Sequence, residues 1–460
     1  MAKYLLLFSL LACIACGSSD KNDTEGVYFA GEIVNPTSSH VVLYKNDMVV
    51  DSAELDANNH FKFNLAQIDK GLHHFDHSPE LQYVFLEPGD SLTLRLNTVA
   101  FDESLVFSGT NGDVNNFLVE MFLSYEDEER FVYSLYKLHP EEFSTKIDSL
   151  RSLKLEELKT LKESNSISDD AYGMAKAAID YSSFTYKEKY PFYHKKYTGE
   201  ETIHELDDIY YDYRKEVNTN HEDLVYFRPY YDYMKYHFGN LSYMHCSKNC
   251  GMHTHKPIDY IHLNKHKLAL IDSTIKHEEL RNNLFRSVAM DVLLKEHDIN
   301  EECKKFIEDF EKLSTNKTHH DEVQFVFNGI RDLQPKHVVP EVNLVTLNNN
   351  PITLKEVVGD GESIIYFWSG VQKRHFKNVS KHVRQLQQEK PDVKFIGICV
   401  QTSRNQWQKM VEDSGLDKES QFWSVDDDNV RKTLILDGLN KCIVTKDSLI
   451  ENGFAYLYSL

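Results

Sequence analysis

The chain has 460 residues, 41% hydrophobic and 27% charged. These are ordinary values for a globular protein, and the length allows about two to four domains at roughly 150 residues each. Its 51 Lys and Arg against 72 Asp and Glu give a formal net charge of −21. That argues against nucleic acid as a partner, because such affinity comes from cations that neutralise phosphates. The 26 Tyr and 26 Phe predict a core in which ring packing is prominent.

The first predicted element is not part of the fold. Residues 1–16, "MAKYLLLFSLLACIAC", carry Lys3, an apolar run and then small residues, and read as a secretory signal. The run is too short to span a bilayer, which needs about 20 apolar residues. The pattern resembles a bacterial lipoprotein signal, in which a cysteine after a small residue receives lipid. Cys16 follows Ala15 and opens into Gly17-Ser18-Ser19-Asp20, and is the favoured acceptor. Cys13, preceded by Leu10 and Ala12, is the alternative. An ordinary cleaved signal with an unused cysteine is the third reading. Residues 17–26 then form a tether. Its Ser and Asp resemble surface-export signals of Bacteroidota lipoproteins. The resemblance implies a cell-envelope location, periplasmic or outer-membrane, with the membrane held through the N-terminal lipid. No later segment has 18 consecutive apolar residues.

Residues 27–110 read as short strands. "VYFAGEIV", "HVVLYK", "MVVDSAEL", "HFKFNL", "LQYVFLE" and "SLTLRLN" alternate or run apolar, with "NPTSS", "DANNH" and "EPGD" as punctuation. Turn signals about every ten residues suggest a small all-β sandwich. The segment resembles the β-rich domain of unknown function that precedes thioredoxin-like domains in many Bacteroidota lipoproteins. Over residues 113–333 the period changes. Ile147, Leu150, Leu153, Leu158 and Leu161 fall near helical spacing, as do Leu284, Val288, Val292 and Leu293. Asp169 and Asp170 suit the first turn of a helix. This region is predicted to be α-helical.

Residues 334–460 begin with a linker broken by Pro335 and Pro340 and then alternate strand and helix. Strands are predicted at "VNLVTL", "SIIYFW", "VKFIGICV", "NKCIVTK" and near Phe454. Helices are predicted from about Lys373 to Glu389 and near Asn405 to Asp413. Such alternation implies a mostly parallel sheet with helices on both faces. The segment "VPEVNLVTLNNNPITLKEVVGDGESIIYFWS" resembles, in order and spacing, the thioredoxin-like domains of the TlpA and ResA type. These are periplasmic thiol-disulfide oxidoreductases. The expected fold is therefore multidomain α+β: a small N-terminal β-sandwich, a central α-helical region and a C-terminal α/β thioredoxin-like fold.

The same resemblance locates a site and questions it. After the aromatic strand the family carries Trp-Ala-Ser-Trp-Cys-Gly-Pro-Cys. Counted without gaps from Trp368, the two cysteines fall on Gln372 and His375, and the Gly-Pro between them on Lys373 and Arg374. The first cysteine would attack a disulfide as a thiolate and the second would resolve the mixed disulfide. Neither Gln nor His can do so. The family also places a cis-proline before its third core strand, and no proline follows Pro391. His375, near a helix start beside Lys373 and Arg374, should be held neutral. It could serve as a base, or the corner could hold an anion, or the segment is a solvated helix start. Cys399 and Cys442 lie on the strands that flank "IIYFW". Next-but-one strands are about 10 Å apart, too far for a disulfide.

A second cluster is "MHCSKNCGMHTH", with Cys246, Cys250, His253 and His255. Two cysteines four apart in an oxidising compartment can form a local disulfide. Thiolate with imidazole can instead hold zinc or copper. Free thiols are the third alternative. The aromatic run Tyr226 to Met244 could stack on a sugar or peptide, or pack in a core, with Tyr226, Tyr230, Tyr233 and His237 on one helix face. His73-His74 and His319-His320 have no third ligand at a useful spacing. No phosphate loop, Ser-His-Asp ordering or zinc-protease motif occurs. The expected function is a lipid-anchored binding or assembly module for an unidentified envelope protein. Its thioredoxin-like domain would be redox-inactive, with no catalytic residue and no cofactor beyond the zinc that this cluster could hold. The alternatives are a TlpA-type oxidoreductase working through other cysteines and a metal-binding lipoprotein.

Overall fold

The computed structural model of the chain describes residues 26–46, 48–165, 167–201, 203, 206–250 and 259–460. The predicted signal, most of the predicted tether, Cys13, Cys16, His253 and His255 lie outside them. No helix among the described residues is long and apolar enough to cross a membrane. The chain divides into two compact units, one up to Tyr236 and one from His237 onward.

The first unit opens with eight strands: β1 (Val27–Val34), β2 (His40–Lys45), β3 (Met48–Glu54), β4 (His60–Leu65), β5 (Gly71–His77), β6 (Glu80–Leu86), β7 (Ser91–Asn97) and β8 (Val106–Gly109). They form two four-stranded sheets, ordered β4-β1-β7-β8 and β3-β2-β5-β6. Alternation turns Phe61 and Phe63 of β4, and Leu92, Leu94 and Leu96 of β7, into one core with Val41, Leu43, Phe75 and Val84 of the other sheet. Phe29 sits at its centre, 5.6 Å from Phe61 and 6.0 Å from Phe75. This is the sandwich the sequence predicts.

A short helical turn, α1 (Phe101–Ser104), precedes four long helices. These are α2 (Gly112–Leu135), α3 (Pro140–Asn165), α4 (Asp169–Thr198) and α5 (Arg228–Asn249). The start of α2 closes both sheets. Asn115 accepts from the Phe85 backbone N–H (2.7 Å) and donates to its carbonyl (3.0 Å). Asn116 does the same for Phe107, at 2.7 and 2.9 Å. Each amide thus pairs with one edge-strand residue as a further strand would, covering an N–H and a carbonyl on each edge. Ser168 caps α4, and Asp169 and Asp170 occupy its first turn as expected. On α3, Ile147 and Leu158 are buried, but Leu153 is 64% exposed. The face passes instead through Lys154, seven residues after Ile147. Its amine lies 3.8 Å from the Tyr125 ring centre and 2.7 Å from Glu128. Tyr226 precedes α5 rather than lying on it. Tyr230 and Tyr233 are fully buried, which is core packing.

The second unit holds the rest of α5 with α6 (Tyr260–Thr274), α7 (Glu278–Glu296), α8 (Glu301–Leu313) and α9 (Lys317–Asp332). Leu284, Val288, Val292 and Leu293 of α7 are all buried, as their spacing predicts. The helices are therefore divided between the two units rather than gathered in one.

The final sheet comprises β9 (Asn343–Val345), β10 (Pro351–Thr353), β11 (Glu362–Ser369), β12 (Lys394–Val400), β13 (Gln421–Ser424), β14 (Lys441–Lys446) and β15 (Leu449–Tyr456). Between them run α10 (Leu354–Val358), α11 (Lys373–Glu389), α12 (Arg404–Ser414) and α13 (Asp427–Thr433). The strand order is β10-β9-β13-β12-β11-β14-β15. Only β11 with β12 and β12 with β13 are parallel; the other neighbours are antiparallel. The expectation of a mostly parallel sheet is corrected. β14 and β15 are joined by a two-residue turn, Asp447 (φ 51°) and Ser448 (φ 64°), of the kind that matches strand twist and leaves no room for a crossover helix. Helix α11 packs through Phe376, Val379, Val383 and Leu386, a 3-4-3 spacing along one face.

Candidate functional site

The strand-to-helix corner at the end of β11 is built on buried residues. Trp368 is fully buried and its ring lies 4.2 Å from that of Phe376. The Gly370 N–H donates to Thr402 Oγ1 (2.7 Å), and its carbonyl accepts from Gln406 (3.2 Å), so the turn is tied to the segment after β12. Gln372 stands at the N-terminus of α11, its carbonyl accepting from the Phe376 N–H at 3.0 Å. Gln372, Lys373 and Arg374 are exposed, and His375 is half-buried.

His375 Nε2 lies 3.0 Å from Asn440 Oδ1, on the residue just before β14. With that oxygen facing the ring, Nε2 carries the proton and Nδ1 does not. Nδ1 is buried without a hydrogen-bond partner. Burial holds the imidazole below its ordinary pKa, and the bond to Asn440 opposes this. The neutral His375 expected from the sequence is thus obtained mainly by desolvation rather than by its cationic neighbours. The approach Gly438-Leu439-Asn440 thus presents a side-chain amide to the corner.

No thiol among the described residues is exposed at this corner. Cys399 pairs with Trp368 across β12 and β11, and Cys442 pairs with Tyr366 across β14 and β11. β11 therefore separates them, both are free and fully buried, and burial raises each thiol to about 12. Neither is a thiolate at neutral pH. Beneath the corner, Tyr366 Oη and the Gln421 side chain form a buried pair at 3.0 to 3.2 Å. They close over Gly397, where an added Cβ would come within 2.2 Å of Gln421 Oε1.

The second candidate lies on α5 and α6. Cys246 is in the last turn of α5, and the Cys250 N–H still donates to the Cys246 carbonyl at 3.0 Å. The two cysteines thus mark a helix end, and both are free thiols here. Burial and the neighbouring Cys250 push the Cys246 thiol up. Asp259 caps α6 by accepting from the His262 N–H (2.8 Å), and Ser242 of α5 donates to the Leu263 carbonyl of α6 (2.7 Å). This joins the two helices so that one ligand atom from each of Cys246, Cys250, His262 and His266 falls within 4.8 Å of all the others. Cys250 Sγ is 3.6 Å from His266 Nε2. The expected imidazoles His253 and His255 lie outside the described residues; among the described residues, His262 and His266, which the sequence analysis does not single out, stand beside the two cysteines. The signal was present, because Cys-x3-Cys and His-x3-His each place two ligands on one helix face.

No known family model matches the chain, and no curated protein does. Among solved structures, the thioredoxin domain of a thiol-disulfide oxidoreductase from Bacteroides vulgatus is 18% identical. The match covers 26% of this chain and 87% of that one, with a TM-score of 0.23. A thiol:disulfide interchange protein from Bacteroides sp. is 17% identical over 26% of this chain and 81% of its own (TM-score 0.22). A thioredoxin-like protein from Bacteroides caccae is 11% identical over 54% of this chain and 87% of its own (TM-score 0.32). These similarities cover only part of the chain.

Proposed function

We propose that this chain is a lipid-anchored cell-envelope protein whose thioredoxin-like domain serves as a binding or assembly module rather than a thiol-disulfide catalyst. The observation that carries the reading is the occupancy of the corner. Gln372 and His375 stand where two thiols would be needed, and His375 is engaged by Asn440 across the turn. Thiol exchange needs an accessible thiolate, and the domain's two cysteines are buried and protonated. The retained sheet and exposed corner can still hold a protein partner in the envelope. The anchor would be Cys16, or Cys13 in its place.

Reduced mature protein in an insulin-reduction assay is expected to give no turnover above the uncatalysed rate. The double variant Gln372→Cys/His375→Cys is expected to form a disulfide, seen as a mass lower by about two protons, because the two positions lie one helical turn apart. Lipid anchoring is checked by membrane fractionation, with Cys16→Ser expected to release the chain. A second reading has one observation in its favour, the proximity of the Cys246 and Cys250 thiols at the end of α5. Wild-type turnover that disappears in Cys246→Ser would establish that reading and defeat the first.

A further inference from the structure

We infer that Cys246, Cys250, His262 and His266 form a closed four-ligand site for Zn2+ that fastens the end of α5 to the start of α6. Several independent observations converge. The ligands come as two pairs at four-residue spacing, one on each helix, and four donor atoms, one per residue, already lie within 4.8 Å of one another. A tetrahedral zinc ion with Zn–S of about 2.3 Å and Zn–N of about 2.0 Å requires donors about 3.3 to 3.8 Å apart. The Cys250 Sγ to His266 Nε2 distance of 3.6 Å meets this already, and the remaining donors need to close by about an ångström or so. Rotation about the χ angles of Cys and His covers such a shift without moving either helix.

The site also contains a polar atom with an unexplained position. His262 Nε2 is buried and has no hydrogen-bond partner. A buried nitrogen left unpaired is destabilising. Coordination through that nitrogen would give it a partner. The Asp259 cap and the Ser242–Leu263 bond hold both helices in place beforehand. Little ordering then remains to be done when the ion binds.

The donor set narrows the choice of metal. Two thiolates neutralise a divalent ion, and two neutral imidazoles complete the shell. Sulfur and nitrogen in a tetrahedral set suit zinc, whereas magnesium and calcium require oxygen donors. With four protein ligands no coordination position stays open for substrate, so the site is structural rather than catalytic. A disulfide between Cys246 and Cys250 would exclude the ion and leave His262 Nε2 as it is. The two states are mutually exclusive.

The test uses the full chain, without an added histidine tag, reduced and stripped with a chelator. Titration with Zn2+ against a chromophoric competitor is expected to show one tightly held ion per chain. Co2+ is expected to give the ligand-field bands of a tetrahedral ion together with thiolate-to-cobalt charge transfer. Two thiols should lose reactivity toward a thiol reagent when Zn2+ is bound. Loss of a group that merely orients a ligand costs about 10- to 100-fold in affinity. His262→Ala and His266→Ala should therefore each weaken binding by more than about a hundredfold. Both histidine side chains are only partly buried, so both variants should fold, and circular dichroism checks each. The proposal is overturned if the reduced chain binds no stoichiometric Zn2+. It is equally overturned if binding survives both histidine variants but is lost in His253→Ala/His255→Ala or in His245→Ala.

Discussion

Lys441 shows how a single buried charge couples this fold to pH. It opens β14 beside Asn440, and its amine donates to the carbonyls of Leu434 (2.6 Å) and Ile435 (3.0 Å) at the end of α13. The amine also lies 4.0 Å from the Phe454 ring centre. Burial lowers its pKa from 10.5 to about 7, with Asp437 and Cys442 opposing. His297 faces the same amine and is itself held below its ordinary value, first by burial and then by Lys441. The sign follows from proton counting. Below about pH 7 the amine is protonated in folded and unfolded chains alike, and stability does not change with pH through this group. Between about 7 and 10.5 the unfolded chain holds a proton that the folded chain lacks, so stability rises with pH. Urea denaturation of wild type and Lys441→Met should therefore diverge in favour of wild type from about pH 7 to about pH 10, with a limiting slope of about 1.4 kcal/mol per pH unit. A difference that stays constant over that range would show that the amine keeps its proton in the fold.

At the scale of elements, the junction of α2 with the sandwich is the feature that composition hides. Strands β6 and β8 are edge strands of separate sheets, and adjacent asparagines satisfy both. Asn115 is 1% exposed, so Asn115→Ala leaves the Phe85 N–H and carbonyl without their partner in a place that water does not reach. Each buried group left unpaired costs about 1–3 kcal/mol. We expect Asn115→Ala to lower the free energy of unfolding by at least that amount, read from the shift in urea midpoint at an unchanged slope. A loss of less than about 0.5 kcal/mol would mean that the strand edge rearranges to satisfy itself. The same scale explains the mixed sheet. Strand positions were legible from apolar runs, but direction depends on the connection. A tight Asp447-Ser448 turn forces β14 and β15 to run antiparallel, where alternation alone suggested a mostly parallel sheet.

For the whole molecule, the two compact units can be followed by different probes. Trp368, Trp407 and Trp423 are the chain's three tryptophans, and all lie in the unit that begins at His237. Trp368 and Trp407 are fully buried, and the Trp423 indole donates to the Thr402 carbonyl at 2.8 Å. Their emission therefore reports that unit alone, whereas far-ultraviolet circular dichroism reports helices of both. Chains with more than one core often depart from two-state unfolding. In urea, the fluorescence and dichroism curves are expected not to coincide. Superimposable curves with one midpoint and one slope would show that the two units unfold as one cooperative body.

The sequence alone determined those features that rest on local periodicity and on residue identity. The sandwich was legible because two-residue alternation forces Phe61, Phe63, Leu92, Leu94 and Leu96 to one side. The span Lys373–Glu389 was legible because one apolar face recurs at helical spacing. The occupants of the corner, Gln372 and His375, could be counted from Trp368. Only tertiary structure decided which distant groups meet. It brought Asn440 to His375 across 65 residues, Asn115 to Phe85 across 30, and His262 and His266 to the two cysteines of α5. The physical reason is that hydrogen bonds and coordination act over a few ångströms, and chain separation does not predict proximity once helices fold back on one another. Among the described residues, it is two pairs at four-residue spacing on packed helices that the fold sets face to face.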